Sequence, residues 1–402
     1  MKKILIPVLA AFLALTLLLS CFSAGIMTGR SIQKVADEGG SSGGSSSLEK
    51  IEEVMDIVRD TYVEKISTEK LITGAVEGMI KVLDDPYSKY LNKKHFKMVE
   101  EEAEGNYEGV GIMLGMEDSK LTVISPIKNT PAEKAGIKTN DVIVEIDDQT
   151  TKDMTINQAV KLIRGKVGTT VVLTIEREGE AKPLEFKLER AKINIPNVTS
   201  EIVDGDIGYI RLHYFSRGAG EDIKKAVKDL KDQGAKGIIF DLRNNPGGLL
   251  DESIDVASAF VESGVIVKIK ERKGNEKAHY AKGGADANIP LVVLVNKGSA
   301  SASEIVAGAI QDTGRGVIVG ETTFGKGSVQ EVRRLSDGSG LLVTVAKYFT
   351  PKGRSIHKKG VKPDEVIEVD PDVPLKDKDL QLDKAKEIIK DRISSSGRKN
   401  AA

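Results

Sequence analysis

A single cysteine in 402 residues, Cys21, leaves this chain without a disulfide framework and without thiol catalysis. Charge of one sign is not in excess: 59 Lys and Arg face 60 Asp and Glu. With no basic field to attract phosphates, nucleic-acid binding is disfavoured, as is condensation on an acidic partner. There are only four histidines, His95, His213, His279 and His357, and none has metal-ligand spacing to another. No metal or organic cofactor is implied. What is present, 40% hydrophobic and 30% charged residues over this length, is ordinary for globular protein of two or three domains.

Uncharged residues run unbroken from Ile4 to Gly29, behind Lys2 and Lys3. As a helix, this segment would reach roughly 39 Å, more than the ~30 Å of a bilayer core. Three fates fit residues 1–30: an uncleaved anchor, a cleaved signal peptide, or a lipoprotein signal cut before Cys21. The apolar run continues through Phe22, Ile26 and Met27, past any Ala-rich cleavage site, which favours the anchor. With the positive end inside, the rest of the chain lies on the extracytoplasmic side of a membrane. Residues 31–47 then form a flexible linker centred on Gly39-Gly-Ser-Ser-Gly-Gly-Ser-Ser-Ser47.

Residues 48–104 read as helical. Leu48, Ile51, Met55, Val58 and Tyr62 recur at spacings of three and four, and Ile72, Val76, Met79 and Leu83 repeat the pattern. The first set fits two heptads, so these helices pack on their own domain or against a second copy of the chain. From Gly105 to about Arg190 the pattern changes to short β-rich runs, Gly109–Leu114, Leu121–Ile124, Val142–Ile146 and Thr170–Ile175, with one helix at Ile156–Ile163. From 191 to 370 strands and helices alternate, as in α/β layering. Gly237–Leu242 and Ile289–Val295 are buried-type strands, each feeding a Gly-containing turn and a helix, Leu250–Phe260 and Ala302–Gln311. A last amphipathic helix, Leu380–Ile393, lies within 371–402, and the chain looks disordered beyond Ser394.

Ser301 falls at the second of these strand-to-helix turns, in Ser299-Ala-Ser-Ala-Ser303. Ser301-Ala-Ser-Glu304 is also a good capping box, so a purely structural role competes with a nucleophile there, although Ser299 or Ser303 could cap instead. Asp241-Leu-Arg-Asn-Asn-Pro-Gly-Gly248 offers amides at Gly247 and Gly248 just after a strand, suited to a developing oxyanion. Lys326, between two glycines, follows Ser301 by 25 residues. A lysine acts as general base only when neutral, which at an ordinary pKa of ~10.4 costs about 4.6 kcal/mol at pH 7. Burial removes that cost, so Lys326 must be buried, near Ser301, with Glu321 and Glu331 pointing elsewhere.

Val123-Ile-Ser-Pro-Ile-Lys-Asn-Thr-Pro-Ala-Glu-Lys-Ala-Gly136 and Asp141-Val-Ile-Val-Glu-Ile-Asp147 resemble a PDZ domain. Such domains capture peptide C-termini by strand addition, and Val110, Gly111 and Ile112 match the loop whose amides hold the terminal carboxylate. One departure is Thr139-Asn-Asp141, where relatives carry Gly before the Asp; Asn also tolerates positive φ. Together with Asp85-Pro-Tyr-Ser-Lys-Tyr90, Tyr348-Phe-Thr-Pro351 and Gly360-Val-Lys-Pro-Asp364, these motifs resemble the C-terminal processing, tail-specific serine peptidases of bacteria and plastids. The resemblance implies an α/β multi-domain chain with an N-terminal helical region, a PDZ domain and a catalytic domain of the ClpP/crotonase-like type. It also implies Ser301 as nucleophile, Lys326 as base, Gln330 supporting the base, and an oxyanion hole from the amides of Gly247 or Gly248 and of Ala302. Substrates would be proteins or peptides with free, apolar C-termini. Arg164, at the end of the PDZ helix, could couple tail binding to cleavage, or be a lone solvated arginine. Lys326 and Gln330 are four residues apart, which in a strand is roughly 13 Å, so either the chain bends there or the two do not touch.

Other readings carry less. A PDZ scaffold that binds tails without cleaving them is the alternative from another class. Gly320-Glu-Thr-Thr-Phe-Gly-Lys-Gly327 nearly spells a phosphate loop, but the following residues alternate like a strand where a helix is required. Ser47-Leu-Glu-Lys50 and Ser67-Thr-Glu-Lys70 fit a common Ser-x-x-Lys pattern without its Lys-Thr-Gly partner. His213 is the one histidine in a strand-like setting where a Ser-His-Asp triad would need it.

Overall fold

The computed structural model describes residues 44–117, 120–368 and 379–400; the Ile4–Gly29 run, Cys21 and residues 31–43 lie outside the described residues. Two helices come first, Gly44–Thr61 and Thr68–Lys81, the former starting inside the expected linker. Ser67 accepts the Lys70 N–H at 3.3 Å, so Ser67-Thr-Glu-Lys70 is a helix cap. The expected packing of the apolar stripes on their own domain is not found among the described residues. Leu48, Ile51 and Met79 are 66%, 43% and 57% exposed, and no residue of Thr68–Lys81 is buried.

The β-rich unit is closed at its neck by Asn106–Gly109 pairing antiparallel with Ala191–Asn194. Its sheet runs in the order Ile112–Glu117, Lys120–Pro126, Val142–Ile146, Thr170–Glu176, Leu184–Glu189. Strict alternation drives it: Val171, Leu173 and Ile175 all point into one core with Val123, Ile143 and Ala159. The helix Ile156–Ile163 starts with a capping box from Thr155 and Gln158. It ends under Arg190, whose guanidinium donates to the carbonyls of Ile163 and Leu162 at 2.9 and 2.8 Å. Asn140 has a φ of 67°, the positive value its position demands. The Gly109–Leu114 run is not one strand; it breaks at Val110 and Gly111, where φ is 83° and a Cβ would collide with the Thr130 side chain.

The α/β part is built on a six-stranded sheet in the order Val198–Val203, Ile207–Leu212, Gly237–Asp241, Leu291–Val295, Val317–Gly320, Glu365–Val366, parallel except at the first pair. Gly237–Asp241 and Leu291–Val295 are buried at every residue because both faces are covered. Helices Ala219–Asp232, Leu250–Ser258 and Ala302–Asp312 share the main core on one face. The helix Leu380–Asn400 seals the other through Ala385 and Ile389. That last helix continues past Ser394, contrary to the expected disorder: the Ser394 and Ser395 hydroxyls donate back to the carbonyls of Lys390 and Asp391 within it. A second, antiparallel sheet centres on Gly340–Phe349, which pairs with Lys89–Leu91, Val265–Glu271 and Ser328–Arg334. Residues after Lys326 therefore enter a strand, which removes the phosphate-loop reading.

The helix Lys93–Ala103 carries Glu102 toward the neck of the β-rich unit. Burial pushes the Glu102 carboxyl from 4.5 to about 7, against the opposing pull of Arg164. A raised carboxyl pKa means the folded state binds a proton that the unfolded state has lost, so stability falls as pH rises from 4.5 to about 7. Thermal melts across this range should show the wild-type midpoint falling faster than that of Glu102→Gln; parallel profiles would contradict this.

Candidate active site

Leu291–Val295 carries the chain out of the buried sheet, and six residues separate that strand from helix Ala302–Asp312. Ser301 sits at the join with φ 54° and ψ -113°, a backbone that a residue with a Cβ adopts only under constraint. The turn thus presents a serine while rigid elements hold both flanks.

The constraint comes from Glu304. Its Oε2 accepts the N–H of Ser301 at 2.9 Å and the N–H of Lys326 at 2.8 Å. Its Oε1 accepts the Thr323 hydroxyl at 2.6 Å and the Gly325 N–H at 2.7 Å. One oxygen therefore ties the backbone of Ser301 to that of Lys326 across two segments far apart in sequence. The carboxyl is fully buried; burial pushes its pKa up while the four donors pull it back. The capping box gives the Ser301 bond but has no signal for the other three.

Lys326 is 1% exposed. The two nearby acids are engaged elsewhere, Glu321 with Lys297 and Glu331 with Arg333, each at 2.9 Å. The Tyr348 hydroxyl donates to the Lys326 carbonyl. The Lys326 Nζ lies 5.0 Å from the centre of the Tyr87 ring, within Asp85-Pro-Tyr-Ser-Lys-Tyr90. An aromatic face favours the charged amine, so Tyr87 opposes the neutral form a base needs. Sequence reading assigned Tyr87 no role.

Gln330 is fully buried, and its Nε2 donates to the hydroxyls of Ser328 and Thr344 at 2.8 and 3.0 Å. Its Oε1 has no hydrogen-bond partner. The expected direct support of Lys326 is thus not made in this conformation: the strand Ser328–Arg334 carries Gln330 away, even with a register shift between Val329 and Gln330.

The turn after Gly237–Asp241 lies against the serine. A Cβ on Gly247 would come within 2.8 Å of the Ser301 Cβ and 2.9 Å of the Ala302 nitrogen, so only glycine fits. Of the three amides expected to face an oxyanion, that of Gly247 is engaged inside its own turn, donating to Asn245 Oδ1 at 2.9 Å. The amides of Gly248 and Ala302 lie on two segments zipped together by further bonds. The Ser303 hydroxyl donates to the Asn245 carbonyl and the Ser299 hydroxyl to the Leu242 carbonyl, both at 2.8 Å, and the Ala300 N–H donates to the Asn245 carbonyl at 3.0 Å. Ser299 and Ser303 are therefore fasteners between turns and not substitute caps. Asn245 was missed; its signal is an Asn two residues before a glycine that needs an Asx-type turn.

His213 stands apart, sharing a 3.1 Å hydrogen bond with Thr199, and Asp241 is taken by Tyr209 and Arg243. No Ser-His-Asp arrangement forms from them. In the β-rich unit, Val110, Gly111 and Ile112 lead into Ile112–Glu117, which is the end strand of its sheet and offers an edge for strand addition. Arg164 is not a solvated lone arginine: its guanidinium lies 4.5 Å from the centre of the Tyr107 ring.

Comparison with known proteins agrees with this layout. Family models match at residues 206–367 (Peptidase family S41), 109–188 (PDZ domain) and 19–95 (Activating protease CtpB N-terminal domain). Carboxy-terminal processing protease CtpB of Bacillus subtilis is 40% identical over 320 residues, covering 79% of this chain and 67% of the relative. The carboxyl-terminal-processing protease of Synechocystis is 40% identical over 319 residues, 78% of this chain and 75% of the relative. Among solved structures, a photosystem II D1 C-terminal processing protease is 33% identical with a TM-score of 0.50, covering 82% of this chain and 94% of that one. A buried serine and lysine joined through one carboxylate, beside a PDZ unit and with these relatives, place the chain in peptidase family S41, among the carboxy-terminal processing serine proteases.

Proposed function

We propose that Ser301 is the nucleophile of this peptidase and Lys326 its general base, in an endopeptidase that selects protein substrates by their free C-terminal tails. The observation that carries the reading is the shared Glu304 oxygen, which holds both backbones two short hydrogen bonds apart while Lys326 is buried. Ser301 Oγ attacks the scissile carbonyl and Lys326 takes its proton; the amides of Gly248 and Ala302 stabilise the oxyanion. Collapse returns the proton to the leaving amine and leaves an acyl-enzyme, which water then hydrolyses. Gln330 Oε1, an orphan acceptor here, is suited to receive an N–H of Lys326 once the amine leaves the Tyr87 ring.

An extended tail would add to the edge strand Ile112–Glu117, its carboxylate on the amides of Val110, Gly111 and Ile112. The uncharged Ile4–Gly29 segment would tether the enzyme on the extracytoplasmic side of a bacterial membrane, with secretion or lipid anchoring at Cys21 as the other fates. The uncovered stripe on Gly44–Thr61 and Thr68–Lys81 fits a second copy of the chain.

Cleavage of an unfolded protein, with its C-terminus free or blocked, tests the reading. Wild type should cut the free form faster, Ser301→Ala should abolish turnover, and Lys326→Ala should slow it by roughly 10²- to 10⁴-fold; turnover by Ser301→Ala at the wild-type rate would end the assignment. Glu304→Gln places an N–H₂ against two donors, so it should cost roughly 1–3 kcal/mol of stability and more than about tenfold in rate. An unchanged melt and rate would refute its joining role. Light scattering should find a dimer that Ile51→Glu with Val54→Glu converts to monomer; a wild-type monomer would dismiss the helix pairing.

A further inference from the structure

The turn that carries Gly247 and Gly248 is gripped from the far side of the domain as well as fastened to Ser301. Asp241 ends the strand Gly237–Asp241 with a buried carboxylate, which accepts the Tyr209 hydroxyl at 2.6 Å and the backbone N–H of Arg243 at 2.8 Å. The Arg243 guanidinium lies along the same carboxylate, with Nε 3.0 Å and Nη2 2.7 Å from Oδ2. Its third nitrogen, Nη1, reaches another part of the chain. It donates to Asp379 at 2.8 Å, at the start of the helix Leu380–Asn400, and to Gln381 Oε1 at 3.3 Å. Asp379 also accepts the Leu382 N–H at 3.0 Å and so caps that helix, while Gln381 is anchored by donating to the Ile367 carbonyl at 2.9 Å. Directly after Arg243 the chain turns, with Asn244 at φ 57°. Asn244 then locks onto the approach to Ser301: its N–H donates to Asn296 Oδ1 at 2.8 Å, and its Oδ1 accepts from Asn296 Nδ2 at 2.9 Å.

We propose that Arg243 is a positioning residue for the oxyanion amides, through which the C-terminal helix sets how the turn Asn244–Gly248 stands against Ser301. The inference rests on reading that turn as the source of an oxyanion amide. A guanidinium is a planar fork, so carboxylates held on two of its edges fix its direction and not only its charge. Asp241 alone makes a pair closed within one turn; Asp379 supplies the reference from outside it. Asp241 and most of Arg243 are out of solvent, so water competes little for these bonds. Without Asp379 the guanidinium keeps one carboxylate but loses the bond that orients its other edge, and the turn gains freedom. Oxyanion donors act only when aimed at the place where charge develops, and a misplacement of about 1 Å is enough to cost roughly a hundredfold in rate. A tail held in the β-rich unit does not touch this turn. The Arg243–Asp379 pair therefore acts on kcat and not on KM.

Asp379→Ser keeps an oxygen to cap the helix and removes the carboxylate that reaches Arg243, whereas Asp379→Glu keeps the carboxylate. Both are compared with wild type in kcat and KM on an unfolded protein with a free C-terminus. The affinity of a peptide aldehyde, whose adduct with Ser301 places an oxyanion against the amides, is set beside the binding of the same peptide as an amide to chains carrying Ser301→Ala. Asp379→Ser should lower kcat and aldehyde affinity together by roughly ten- to hundredfold. KM and amide-peptide binding should stay within about twofold, and Asp379→Glu should recover most of the loss. Wild-type kcat and aldehyde affinity in Asp379→Ser would overturn the role of Arg243 while leaving the oxyanion reading standing. A loss shared equally by the amide peptide would overturn it too, as a general loosening of the domain. If the wild-type chain binds the aldehyde no better than the amide, the oxyanion reading and the positioning role fall together.

Discussion

The buried carboxylate of Glu304 is the constraint on which the catalytic geometry depends. Four donors from two segments converge on it: Ser301 at a helix start, and Thr323 with the successive amides of Gly325 and Lys326. A carboxyl desolvated to this degree is costly unless each lone pair is used, so the loop carrying Lys326 has little freedom to move without breaking several bonds at once. The unusual backbone at Ser301 is held by the same anchor. The backbone of the serine and that of the lysine are thus held by one buried acid.

Around that anchor the molecule divides labour between rigid and exchangeable contacts. The turns holding Gly247 and Ser301 are fastened by Asn245, Ser299 and Ser303, whose bonds are internal and complete. Beside them Gln330 Oε1 lacks a partner, and Tyr87 lies over the Lys326 amine. Tyr87 reaches it from the segment joining the N-terminal helices to the strand Lys89–Leu91, so the helical region has a physical route to the base.

Much of this was legible in the sequence. The helix Ile156–Ile163, the fully buried strands and the placing of Ser301 at a strand-to-helix turn follow from periodicity and turn chemistry. What escaped was of two kinds. Contacts between segments distant in sequence, such as Glu304 to Lys326 or Tyr87 to Lys326, leave no local pattern, since a capping glutamate looks the same whether it serves one turn or three. Commitments of single polar atoms also escaped: the Asx-turn pattern that lets Asn245 take the Gly247 amide was there to be read, but nothing around Gln330 tells that it will turn to Ser328 and Thr344. The amphipathic spacing of the first helices was readable, but not whether the chain itself would cover it.

The central claim is that the buried Lys326 makes Ser301 a nucleophile. It is tested most directly by reacting the folded chain with a fluorophosphonate and locating the adduct by mass spectrometry. The account predicts labelling at Ser301 in wild type and its loss in Lys326→Ala, with both proteins folded by circular dichroism. Labelling at a different serine, or undiminished labelling of Ser301 without Lys326, would contradict it.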